Sequence, residues 1–169
     1  MNVTTNTLQM AVEILATGTY DVKAPTANIV EAIKPAMTTD VDLVFCANDA
    51  IAHDGTLSID LKSGNGEADP FGVALDFGKV NAIVIQNNAD AAGESIYLTP
   101  AAANGLVAPL GDVSDKIQIA AGGGLLVLIN PNAAGWTVDA THKILELVSN
   151  DDGDESGATA KVIILGQAA

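Results

Sequence analysis

Apolar and polar residues alternate with a period of two along most of this chain. Leu57, Ile59 and Leu61 are apolar while Ser58, Asp60 and Lys62 are polar, the signature of a strand with one buried face. Phe71, Val73, Leu75 and Phe77 repeat that rhythm against Gly72, Ala74 and Asp76. Further strands are predicted at Val80–Gln86, Ser95–Leu98, Lys116–Ile119, Leu125–Ile129, Lys143–Val148 and Lys161–Leu165, nearly all of them dense in β-branched residues. Between them stand Asp54-Gly55, Asn65-Gly66, Asn104-Gly105, Gly122-Gly123-Gly124, Asn130-Pro131 and Asp151-Asp152-Gly153. Short strands punctuated at such intervals predict an all-β antiparallel sandwich or barrel. The best helical pattern, Ile29, Ile33 and Met37, is interrupted by Pro35. Leu8–Leu15 fits both periods and is read as a strand because Thr17, Gly18 and Thr19 follow it. The expected organisation is an N-terminal arm or first strand over residues 1–20 and one sandwich over 21–169. Thr17–Val41, across that boundary, has no clear pattern.

Composition narrows the function classes. An apolar share of 49% over 169 residues is enough for a core, and 4% aromatic residues make that core aliphatic. Twenty-one acids face seven bases, all lysine, for a formal net charge of −14. Nucleic-acid binding needs Lys and Arg to neutralise phosphates, and anionic membranes repel such a chain, so neither partner is expected. The N-terminus has no basic region, and Glu13 interrupts its first apolar stretch, so neither signal peptide nor membrane span is expected. Cys46 is the single cysteine. Lying in an apolar run, it is expected to be buried and inert.

Candidate chemistry is thin. His53 and His142 both sit in polar, turn-like contexts, and no Gly-x-Ser-x-Gly elbow accompanies them. They are expected to be solvent-facing loop residues, and the chain is not expected to be an enzyme. The Gly122–Gly124 triplet lacks the Lys-Ser/Thr of a phosphate loop and precedes an apolar run, so it is read as a turn entering a buried strand. Asp151-Asp152-Gly153-Asp154-Glu155 lacks the spaced ligands of a calcium loop and is read as a solvated hairpin tip. No cofactor or metal is expected. Trp136, the only tryptophan, fits an interface anchor and a core plug equally well.

From Phe71 onward the chain resembles small structural proteins of tailed bacteriophages. Residues 69–88 (DPFGVALDFGKVNAIVIQNN), 115–128 (DKIQIAAGGGLLVL), 135–138 (GWTV) and 160–166 (AKVIILG) carry the likeness. It covers somewhat over half the chain and is structural rather than chemical, so no catalytic residue comes with it. The acidic stretch 151–155 is heavier than the Ser/Gly turn usual there.

The resemblance implies a jelly-roll-like sandwich of a virion decoration (cement) or head-fibre protein. It further implies a homo-oligomer, in the first instance a trimer, bound to the major capsid protein on the outer capsid surface after synthesis in the host cytoplasm. A fibre-base or glycan-binding adhesion module of the virion is the alternative. Leu8, Met10, Val12, Ile14 and Trp136 are the candidate partner-contacting residues, the first four on a segment able to add a strand to an exposed sheet edge.

Overall fold

A computed structural model describes residues 43–62, 66–70, 72–90, 94–130, 135–149 and 157–169. The arm over 1–20, the helical pattern at Ile29–Met37 and the acidic stretch 151–155 lie outside the described residues, as do Leu8, Met10, Val12 and Ile14.

Among the described residues nine strands follow one another: β1 (Leu43–Ile51), β2 (Thr56–Asp60), β3 (Phe77–Asn87), β4 (Ile96–Pro100), β5 (Ile117–Ile119), β6 (Leu125–Ile129), β7 (Trp136–Thr137), β8 (Ile144–Ser149) and β9 (Ala158–Ala168). One sheet runs β1-β9-β3-β6, with β7 paired to β3, and the other runs β2-β8-β4-β5. Every strand pair is antiparallel. The pairing is nested, first strand with last: β1 with β9, β2 with β8, β3 with β6, β4 with β5. Leaving aside the short β7, successive strands of each half alternate between the sheets. A long antiparallel ribbon rolled over itself in this way is the double-sheet jelly roll, the expected architecture.

The fold follows from the alternation. Phe45, Ile59, Ile83, Ile85, Leu98 and Leu147 all enter one core cluster between the sheets. Turn chemistry marks the crossings. Asp54 and Asn104 take positive φ of 52° and 57°, a conformation short polar side chains tolerate. Gly122 and Gly123 do the same at 77° and 92°, turning the chain into β6.

Three expectations are corrected. Of the alternation from Phe71 to Phe77, the described residues 72–76 do not form a strand. Only Phe77 enters β3, and Val73 is 60% exposed while Leu75 is buried. The Asp69 carboxylate accepts the Val73 N–H at 2.8 Å, and the Asp69 carbonyl accepts the Gly72 N–H at 3.0 Å. With Pro70 between them and Gly72 at φ 82°, turn chemistry overrides the two-residue period. Cys46 is exposed rather than buried, because the inward positions of β1 are taken by Phe45 and Ala47 on either side. Strand β6, expected to be buried, has no fully buried residue, and Leu125 is 56% exposed. Among the described strands it lies at the end of its sheet, with only β3 beside it.

Candidate interaction surface

The two sheets treat their outward faces differently. Inward positions are those that join the core, and the alternate positions face out. In the sheet β2-β8-β4-β5 the outward rows read Ser58–Glu146–Thr99 and Thr56–Val148–Tyr97–Gln118. That face is largely polar, and Lys116 Nζ stands 4.9 Å from the centre of the Tyr97 ring. In the sheet β1-β9-β3-β6 the outward rows read Val44–Leu165–Ala82–Ile129, in which Ala82 is itself fully buried between its neighbours, and Cys46–Ile163–Val84–Val127. Both rows are apolar from one edge to the other. A third row, Asn48–Lys161–Gln86–Leu125, brings one cation and no acid. In a molecule of net charge −14, a sheet face without a carboxylate is a place where contact costs least in repulsion. Sheets apolar on both faces are usually covered on both.

The histidines differ from expectation in one case. His53, just beyond β1, is only partly exposed, and its Nδ1 meets a carboxylate oxygen of Glu94, which is completely buried. The other Glu94 oxygen accepts the Ser149 hydroxyl from the end of β8. Asn87 secures the same corner, donating its amide to the Glu94 carbonyl at 2.8 Å and the Ile119 carbonyl at 3.2 Å. The correction is physical: a buried carboxylate requires donors, and His53 and Ser149 supply them from opposite sheets. The order along this chain of contacts is hydroxyl, carboxylate, imidazole. A nucleophile needs its hydroxyl against the base. Here the Ser149 hydroxyl is committed to the acid and is itself buried. The cluster can fasten the two sheets and cannot activate Ser149 in this arrangement.

His142 is exposed, as expected. Asp139 accepts the Thr141 N–H at 2.7 Å, the Thr141 hydroxyl at 2.8 Å and the His142 N–H at 2.9 Å, and lies 3.0 Å from His142 Nδ1. The Thr141 backbone N–H, then its hydroxyl, then His142 hold the Asp139 carboxyl well below the usual carboxylate range. Asp139 and His142 line an open groove of about 410 Å³ together with Ala108, Gly135, Trp136 and Thr137. Trp136 is partly buried, packs against the core and also borders the groove. Among the described residues no group of three or more His, Cys, Asp or Glu side chains is placed to hold a metal ion.

The outward apolar rows were hidden in the sequence, because runs such as Leu125–Ile129 and Val162–Leu165 read simply as buried strands. Glu94 gave no signal either, lying 41 residues from His53 and 55 from Ser149 in the chain. No protein-family model matches the chain, and no curated protein is similar to it.

Proposed function

We propose that this chain is a non-catalytic virion structural protein that decorates the outer surface of a tailed-bacteriophage capsid as a homo-oligomer, a trimer in the first instance, cementing joints of the major capsid protein. The observation that carries the reading is the apolar outward face of β1-β9-β3-β6 opposite a polar outward face on the other sheet. A domain so divided is suited to being held against other protein on one side while facing water on the other. The jelly roll recurs in viral capsid domains, which is an association of fold and carries less weight. Modest contacts suffice, because copies held together gain effective concentration at the shell.

The test is to purify particles and measure the proportion of this chain to the shell protein. A fixed stoichiometric ratio is expected, and its absence from washed particles sinks the reading. Deleting Met1–Leu15 is expected to abolish capsid attachment while the sandwich remains folded by circular dichroism.

The groove at Trp136 favours one second reading, a glycan-adhesion module. An aromatic ring beside a carboxylate, an imidazole and a hydroxyl offers stacking and hydrogen bonding to a sugar. Because Trp136 is the only tryptophan, a saccharide bound there would shift the protein's indole fluorescence. A flat titration over host-surface oligosaccharides removes this alternative.

A further inference from the structure

We infer that the apolar outward face of the sheet β1-β9-β3-β6 is where copies of this chain pack on one another. The inference deepens the proposed function, since it assigns the surface that makes the homo-oligomer. The occupant is a second copy for two reasons, charge and area.

Two molecules that each carry a net charge of −14 repel wherever their acids meet. Self-contact is therefore confined to surface free of carboxylates. The rows through Leu165 and Ile163 have no charged member, and the third row adds only Lys161. The outward face of the opposite sheet is interrupted by Glu146, which would oppose its own image in a symmetric contact.

The three rows of four positions span a sheet patch of roughly 400 Å², with strands ~4.8 Å apart and outward residues ~6.8 Å apart along each strand. Two such patches together give about 800 Å² of plane, and side-chain relief raises the accessible area buried toward the ~1,200 Å² at the lower limit of specific interfaces. An interface of that size implies reversible association, strengthened when the shell holds the copies side by side. Sheets pack face to face about 10 Å apart with their side chains interleaved, and the alternation of Val84 with Ile163 and Val127 supplies such relief. Two faces across a two-fold axis, or three turned toward a three-fold, bury the same rows.

The test uses the full chain in light scattering coupled to size exclusion over micromolar to near-millimolar concentrations. Wild type is expected as a concentration-dependent oligomer. Val127→Asp and Ile163→Asp each place a carboxylate on the face without touching the core and are expected to weaken association at least tenfold. Gln118→Asp, on the outward face of the other sheet, is expected to leave the oligomer mass unchanged. Should either face variant fail to fold by circular dichroism, labelling folded wild type at Cys46 with a bulky anionic maleimide replaces it, and the same loss of mass is expected. A wild type that is monomeric throughout, as when residues 1–42 cover the face within one chain, overturns the inference. So does an oligomer indifferent to both substitutions or to the label. The two readings fail separately. A monomer that still coats particles sinks this inference alone, whereas an Asp-sensitive oligomer absent from particles sinks only the virion reading.

Discussion

Asp60 ends β2 with its side chain almost wholly buried, held by Lys143 Nζ at 2.6 Å, while its oxygen Oδ1 accepts the Lys62 N–H at 2.8 Å. Removing one member of a buried pair strands the other charge. Lys143→Met is thus expected to cost about 2–3 kcal/mol in urea unfolding, below the full penalty because water reaches the partly exposed lysine. Adding Asp60→Asn to that variant should recover part of the loss, the mark of a coupled pair. Asp139 makes a prediction of pH dependence. Its carboxyl is held below the ordinary carboxylate value in the folded chain by Thr141 and His142. The lowered side is the folded one, so the local stabilisation is complete above the unfolded value near ~4 and fades as pH falls below it. Protection of the Thr141 and His142 amides relative to their intrinsic exchange should fall on acidification in wild type and be low at every pH in Asp139→Ala. None of these partnerships was legible beforehand. Asp60 and Lys143 stand 83 residues apart, and alternation marks only the face a residue takes, not which distant side chain it meets.

Strands and turns were more readable. Alternation located β2, β5, β6 and β8 to within a residue at either end and β4 to within two, and it found the centres of β3 and β9. The failure at Phe71–Phe77 shows the limit: a period of two is also what a chain displays when Asp69, Pro70 and Gly72 fold it into a turn before Leu75 and Phe77 drop into the core. Another feature at this scale gave no signal at all. Strand β3 carries register shifts between Phe77 and Lys79 and between Val80 and Ala82 where it pairs with β9. Gly166 lies opposite Val80, and a Cβ there would run into the Lys79 carbonyl oxygen and stand 2.8 Å from the Phe77 ring. Gly166→Ala is accordingly expected to lower stability by about 2 kcal/mol through overpacking, measured as a shift in denaturation midpoint with an unchanged slope.

For the molecule as a whole, charge sets the clearest expectation. Twenty-one acids against seven lysines strain the folded state through self-repulsion, and salt screens that repulsion over roughly 8–10 Å at moderate ionic strength. The thermal midpoint should rise as sodium chloride is raised from low ionic strength, and the proposed oligomer should tighten in parallel, since its face is apolar. Unfolding that is indifferent to salt would show that the acids are too dispersed to interact. The amino-acid sequence by itself determined that this chain would be all-β, with aliphatic strands and sharp turns, because side-chain alternation and turn residues act over a few positions. Tertiary structure decided what those strands became: which sheet each one joined, that Glu94 would draw His53 and Ser149 together, and that Cys46, Ile163, Val84 and Val127 would align into an outward apolar row. Those outcomes depend on register between segments far apart in the chain, and register is settled only when the nested strands pair and the two sheets close on a common core.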